Sequence, residues 1–103
     1  MKLLEFVVKE YISIVENLLS TEDVENGRII IEKEQFKKLL EKYNYMKFRD
    51  KTKVYKDLNF ILHDQNNYTL PVKDNILKKT VRKVVINYSA YETVKKLYET
   101  EID

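Results

Sequence analysis

The stretch KFRDKTKVYKDLNFILHD, residues 47 to 64, joins a dense group of cations to an apolar run. Five of its first ten side chains are Lys or Arg. Asp50 is a suitable N-cap, and apolar residues then recur at helical spacing, which predicts a helix from about Asp50 to Leu62. Because the apolar stripe of such a helix faces the interior, the cations on its opposite side should face solvent.

Positive charge is concentrated in the middle of the chain. Residues 47–83 hold ten Lys or Arg and four Asp or Glu, a net charge of +6, whereas residues 1–46 and 84–103 each carry −2. The net charge of the whole chain is only +2. A segment with this asymmetry is typical of proteins that contact polyanions, although a Lys-rich run can also be a solvated face with no partner.

Helices and strands are predicted on both sides of this segment. Apolar periodicity predicts an amphipathic helix over residues 2–19 and a second one around Phe36, Leu39, Leu40 and Tyr43. A short strand, RIIIE at 28–32, lies between them. Residues 68–72 and 80–88 read as two strands of a hairpin, and Ser89 with Glu92 matches a capping box that opens a final helix.

The sequence therefore predicts a single α+β domain over residues 1–103. Its parts are an N-terminal helix at 1–20, a strand, helix pair and hairpin within 28–88, and a C-terminal helix at 89–101.

The sequence argues against several classes of protein. Cysteine is absent, so a disulfide framework is ruled out. Charges at Glu5, Lys9 and Glu10 interrupt the apolar N-terminal segment, which is therefore neither a signal peptide nor a membrane span. We expect a cytoplasmic protein with no membrane partner. With one His and one Gly, no catalytic arrangement, phosphate-binding loop or metal spacing is recognisable, so we expect no enzyme activity, no cofactor and no metal.

The order of elements resembles a known family. Together with local spacing such as IIIEKEQFKKLL at 29–40, the succession of helix, short strand, two helices and hairpin resembles the winged helix-turn-helix superfamily, with an extra C-terminal helix. The resemblance implies that the third helix enters the major groove of DNA and that the hairpin, the wing, contacts the backbone or the minor groove. The turn between helices two and three, NYMKFR at 44–49, departs from the family because it lacks the Gly often found there.

The candidate nucleic-acid contacts lie on the third helix and the wing. Arg49 and Lys51 at the helix start suit phosphates, Lys53 and Lys56 could reach phosphates or guanine edges, and Asn59 could pair with adenine. The full set predicted on the helix is Arg49, Lys51, Thr52, Lys53, Lys56 and Asn59. The set predicted on the wing is Lys73, Lys78, Lys79, Arg82 and Lys83. These residues predict a protein that binds duplex DNA in transcription regulation or in the replication of a phage or plasmid.

Two apolar features leave alternatives open. Phe60 is predicted on the outer face of the third helix, where it would be a wedge against bases, a stacking platform for unpaired strands, or a protein contact. The wide apolar arc of the first helix and the closing helix either complete the core or form a homodimer or partner surface. The residues predicted for that surface are Phe6, Tyr11, Tyr91, Leu97 and Tyr98. The alternative function is that of a phage or mobile-element accessory protein that binds and modulates another protein.

Overall fold

The structure, a computed structural model, describes residues 2–65 and 67–102. Across these residues the chain forms four helices and four strands. In chain order they are α1 (Lys2–Leu18), β1 (Arg28–Ile31), α2 (Lys33–Glu41), α3 (Phe48–Asp57), β2 (Ile61–Leu62), β3 (Leu70–Asp74), β4 (Lys79–Asn87) and α4 (Tyr88–Ile102). The predicted α+β class is confirmed, with the element order of a winged-helix-like domain extended by a C-terminal helix.

Strand β4 organises the antiparallel sheet. Its first half pairs with β3, in the register Leu70↔Lys83 to Asp74↔Lys79, and this hairpin is the predicted wing. Its second half lies between β1 and β2, so that Ile86 faces both Ile29 and Ile61. These three isoleucines are fully buried, which places the centre of the sheet in the core.

A tight turn at the only glycine leads into β1. Asn26 and Gly27 have φ values of 54° and 73°, and Glu25 and Arg28 exchange two backbone hydrogen bonds of 3.0 Å. Two consecutive positive φ values are the requirement of a type I′ turn, which Asn-Gly favours. A Cβ at position 27 would lie 2.6 Å from Ser89 Oγ, so glycine is needed here for both conformation and space.

Helix α3 ends earlier than the sequence predicts. Asn59 adopts a φ of 59°, its N–H donates to the Lys56 carbonyl, and the Phe60 N–H donates to the Tyr55 carbonyl. This pair of bonds is a Schellman motif, which closes a helix around a residue in the left-handed conformation. The predicted helical run to Leu62 is therefore wrong, because the residues after the motif turn away and form β2.

The early end of α3 moves Phe60 into the core. Phe60 is 4% exposed, and its ring stacks on Tyr11 at a centroid distance of 3.9 Å. The prediction that Phe60 lies on an outer face is wrong, because it assumed a helix through this position. The Asn87 amide, which donates to the Asn59 carbonyl at 2.8 Å, fixes the same segment to the end of β4.

Tyr11 and Tyr91 also belong to the core, contrary to their prediction as a partner surface. Tyr11 is fully buried, and its hydroxyl donates to the Asn87 carbonyl. Burial raises the pKa of Tyr11, so this phenol remains protonated at physiological pH. Tyr91 is 5% exposed and donates to Glu16 at 3.0 Å. Most of the wide apolar arc of α1, from Val7 to Leu18, is therefore used inside the molecule, whereas Leu4 and Phe6 near its start remain exposed.

Smaller differences occur at the ends of the hairpin and at the start of α4. The wing turn lies at residues 75–78, because β3 continues to Asp74, two residues beyond the predicted end of the strand at 72. Helix α4 begins at Tyr88, where the Asn87 side chain accepts the Ala90 N–H at 3.2 Å. Asn87 therefore caps the helix, and the predicted capping role of Ser89 is wrong.

A buried ion pair connects the three N-terminal helices. Lys51 of α3 and Glu10 of α1 are 1% and 2% exposed, and Lys51 Nζ lies 2.7 Å from Glu10 Oε2. The same ammonium donates to the backbone carbonyls of Leu40 and Tyr43 at the end of α2. Its three donors are thus satisfied. The prediction that Lys51 contacts phosphate is wrong, because its charge is enclosed and neutralised.

Two tyrosines complete this network on the side of the carboxylate. Tyr45 and Tyr55 donate hydrogen bonds of 2.7 and 2.8 Å to Glu10 Oε1. Burial and the Glu10 carboxylate raise the pKa of both phenols, which keeps them as donors at neutral pH. Every buried side-chain nitrogen or oxygen that the structure describes has a hydrogen-bond partner.

We expect Lys51→Met to lower the free energy of unfolding by about 3–5 kcal/mol, because it leaves the Glu10 carboxylate buried without a counter-charge. The double variant Glu10→Gln/Lys51→Met should be less destabilised than the sum of the two single variants. Urea denaturation measures all three. Lys53→Met, which changes an exposed cation of the same helix, should stay within about 0.5 kcal/mol of the wild type. If the loss of unfolding free energy in the double variant equals the sum of the losses in the two single variants, Glu10 and Lys51 are not energetically coupled.

The contact between α1 and α4 predicts a dependence of stability on pH. Hydrogen bonds from Lys95, at 2.6 Å, and from Tyr91 hold the pKa of Glu16 below its ordinary value of 4.5. A carboxyl with a lowered pKa stabilises the fold above its unfolded pKa, and this contribution is lost as pH falls through the folded pKa.

We therefore expect the free energy of unfolding to decrease as pH falls below about 4.5, and to decrease less in Glu16→Gln. Urea denaturation at a series of pH values from neutral to acid checks this. Lys95→Met should flatten the curve in the same way, since it removes the same ion pair. If the curves of unfolding free energy against pH are parallel for all three proteins, the Glu16–Lys95 pair does not contribute to the pH dependence of stability.

Candidate nucleic-acid interface

A cationic groove runs along the exposed side of α3. It has a volume of about 680 Å³. Its lining residues are Lys47, Arg49, Asp50, Thr52, Lys53, Lys56 and Tyr68. Four of the seven are cations and one is a carboxylate. Among the described side chains, none of these four cations has an acidic group within 4.0 Å.

Helical spacing and an aromatic cluster position the groove. Arg49, Lys53 and Lys56 follow one another at steps of four and three residues, so they share one face of α3. At the helix start, the Phe48 ring packs edge-on against Phe36 of α2 and against Tyr68, at centroid distances of 6.4 and 5.6 Å. These contacts hold Tyr68 beside α3 as a wall of the groove.

Thr52 and Asn59 differ from their predicted places on a DNA-facing helix. Thr52 is 8% exposed, and its hydroxyl donates to the Arg49 carbonyl at 2.8 Å, which leaves little of it for an external partner. Asn59 is exposed but lies beyond the end of α3, in the Schellman motif. The prediction that Asn59 projects from the third helix is therefore wrong.

The wing cations divide into two groups. Arg82 pairs with the Asp64 carboxylate and also donates to the hydroxyl and the carbonyl of Thr69, at 2.9 and 2.7 Å. Lys83 lies 3.1 Å from Glu32, and at 4.0 Å from Asp74. The charges of Arg82 and Lys83 are therefore partly neutralised by carboxylates of the same chain. Their predicted role as nucleic-acid contacts is not supported, because their charges have carboxylate partners.

The other wing cations are near the tip of the hairpin. Lys73, Lys78 and Lys79 are exposed, and no carboxylate among the described side chains forms an ion pair with them. Lys78 lies in the turn with a φ of 54°, and Lys79 begins β4 opposite Asp74. Cationic side chains without partners therefore occur on two elements, the outer face of α3 and the tip of the wing.

Three residues of the groove, Lys47, Asp50 and Tyr68, are absent from the contacts that the sequence predicts. Asp50 is predicted only as an N-cap, whereas it lies in the first turn of α3. Lys47 lies in the cationic stretch, but a helix predicted to begin at Asp50 instead of Phe48 leaves it outside the helix. The cue would have been the apolar Phe48, which suits the first buried position of the helix. Tyr68 was assigned to a strand, and nothing in its local sequence indicates that it packs against α3.

The described residues offer no sign of a metal centre or of a membrane span. No three His, Cys, Asp or Glu side chains among them come together as a metal site would require. None of the helices in the described part of the chain is both long enough and apolar enough to cross a bilayer.

Comparison with known proteins adds no family. No model of a protein family matches the chain, and no curated protein is similar to it.

The two groups of wing cations should respond differently to substitution. We expect Arg82→Gln to lower the free energy of unfolding by about 1 kcal/mol, because it removes three hydrogen bonds and a half-exposed ion pair. Lys79→Gln should change it by less than about 0.5 kcal/mol. Urea denaturation distinguishes the two. Equal effects of both variants would contradict the division into structural and unpartnered cations.

Proposed function

We propose that the protein binds duplex DNA through the groove of α3 and the tip of the wing. One observation carries the proposal: seven of the ten cations in residues 47–83 have no carboxylate within 4.0 Å among the described side chains. They are Lys47, Arg49, Lys53, Lys56, Lys73, Lys78 and Lys79. Each such cation brought against a phosphate releases condensed counterions, which is the main sequence-independent source of affinity for DNA.

The positions along α3 suggest a division of roles. Lys47 and Arg49 lie at the N-terminus of the helix, where the helix dipole adds to their attraction for phosphate. Lys53 and Lys56 lie further along the same face, from which they would reach phosphates or the O6 and N7 atoms of guanine. Asp50 in the same groove would accept a hydrogen bond from the N4 amino group of cytosine and would oppose a phosphate in that place.

The fold supports this use of α3. The Lys51–Glu10 pair holds α3 against α1, and the contact between the Phe48 and Phe36 rings holds it against α2. The outer face of α3 would therefore meet DNA without reorganisation. A rigid platform reduces the entropic cost of binding. In keeping with the resemblance to winged helix-turn-helix proteins, α3 would lie in the major groove while the wing contacts the backbone or the minor groove. We propose a cytoplasmic role in transcription regulation or in replication of a phage or plasmid.

A second candidate function, binding of a protein partner, is supported by exposed apolar side chains on α1 and α4. Leu4 and Phe6 of α1 are 47% and 54% exposed, and Leu97 of α4 is 62% exposed. Phe6 and Tyr45 also border a cavity of about 510 Å³ beside the start of α1. Exposed apolar side chains of this size mark protein contact sites more often than DNA contacts.

Binding to a mixed-sequence duplex at increasing salt tests the first proposal. We expect log K to fall with log salt with a slope of about −4 to −6, since about five to seven phosphates would be neutralised. Lys53→Glu/Lys56→Glu should weaken binding at low salt and reduce the slope by about two. Fluorescence anisotropy measures both quantities.

The matched control is Lys9→Glu/Lys42→Glu, which makes the same change of net charge at residues that border the other cavity. It should retain most of the affinity and the slope. If both double variants lose affinity equally, net charge alone governs binding and the groove has no special part. If the wild type ignores duplex even at low salt, the proposal fails.

A further inference from the structure

The tip of the wing displays two aliphatic side chains to solvent. Ile76 is 92% exposed and Leu77 is 56% exposed. No other large apolar side chain among the described residues reaches the exposure of Ile76. Neither residue contributes to the core, and a hairpin turn of this length is normally built from polar residues and glycine. Their presence needs an explanation outside the folding of the domain.

The tip is an ordered turn. Asp74 Oδ1 accepts the N–H groups of Ile76 and Leu77 at 2.9 and 3.0 Å. The Leu77 and Ile76 N–H groups, with the nearby Lys83 and Lys79 ammonium groups, hold the pKa of Asp74 below its ordinary value. Lys79 pairs with Asp74 in the strand register directly below the turn. The two aliphatic side chains are thus presented at a fixed place.

Cations surround this apolar pair. Lys73, Lys78 and Lys79 are exposed and have no ion-pair partner among the described side chains. A partner that suits the tip must therefore offer dense negative charge beside an apolar surface. Duplex DNA has both, because phosphates border the minor groove and the faces of the bases become accessible when a step is partly unstacked.

A membrane with anionic lipids also combines negative charge with apolar chains. The groove of α3 distinguishes the two, because its four unpartnered cations form a second site for a polyanion on the same chain. A double-stranded partner that spans both sites accounts for all seven cations.

We propose that Ile76 and Leu77 enter the minor groove as an apolar wedge, partly unstack one base step and bend the duplex. The inference rests on the proposed binding of duplex DNA and specifies how the wing takes part. Proteins that insert aliphatic wedges in this way bend DNA by about 20–90°. Flexible pyrimidine–purine steps such as TA and CA should be preferred, because they cost least to open.

The experiment uses a duplex of about 30 base pairs with fluorescent dyes at its ends and 2-aminopurine at TA steps. Energy transfer between the dyes reports bending, and 2-aminopurine brightens when it is unstacked. The full chain should increase both signals. Ile76→Ser/Leu77→Ser should still bind through its cations, with an affinity reduced by roughly fivefold to twentyfold, but should lose most of both signals.

Leu97→Ser is the matched control, because Leu97 is an exposed leucine on α4 and lies outside both proposed contact sites. It should bend and unstack the duplex as the wild type does. If the wild type binds with the expected salt dependence but leaves the duplex straight and stacked, the wedge is refuted while the proposed function stands. If the wild type does not bind duplex at all, the proposed function fails and the wedge fails with it.

Vesicles of phosphatidylcholine and phosphatidylglycerol provide the remaining comparison. The wedge proposal expects no difference between wild type and Ile76→Ser/Leu77→Ser in binding to these vesicles. The wedge proposal is overturned if the vesicles bind the wild type but not Ile76→Ser/Leu77→Ser, while the duplex signals are the same for both proteins. In that case the tip is a membrane contact.

Discussion

The pair formed by Lys51 and Glu10 is the interaction on which the arrangement of the helices depends. A buried charge is tolerated only when it is paired and its remaining hydrogen bonds are made. Here the ammonium has one carboxylate and two carbonyls, and the carboxylate has the ammonium and two phenols. The carbonyls belong to the end of α2, so one side chain of α3 joins α1 to both helices that follow. Because Lys51 Nζ is bound to the Leu40 and Tyr43 carbonyls, this contact also fixes the start of α3 beside the end of α2.

Whether a cation is available to bind a ligand depends more on the carboxylates beside it than on the net charge of its segment. Lys51, Arg82 and Lys83 belong to the cationic segment, yet each has a carboxylate beside it: Glu10 and Glu32 from outside the segment for Lys51 and Lys83, and Asp64 from within it for Arg82. The cations that remain occur where the chain leaves the core, along the outer face of α3 and around the wing turn. A count of charges along the sequence therefore overestimates the cationic surface, while its location is approximately correct.

Local patterns were sufficient to predict most elements, and long-range contacts account for the errors. Helix α1, strand β1 and helix α2 follow from periodicity and from the Asn-Gly turn, which are properties of neighbouring residues. The end of α3 does not, because Asn59 in place of Gly disguises the Schellman motif and because Ile61 becomes a strand residue only through Ile86, which lies far along the chain. The burial of Lys51 depends on Glu10, 41 residues away. Within the candidate site, the packing of Tyr68 against Phe48 is also a long-range contact. No local sequence pattern predicts it.

The central position of β4 has a consequence for biosynthesis. Strands β1 and β2 pair with β4, and no pairing of β1 with β2 joins them directly. A nascent chain that has emerged only as far as β2 therefore has two unpaired strands, β1 and β2, and no sheet. Such strands are open to association with other chains, and pairings of high sequence separation form slowly. The sheet of this domain must therefore assemble after β4 leaves the ribosome.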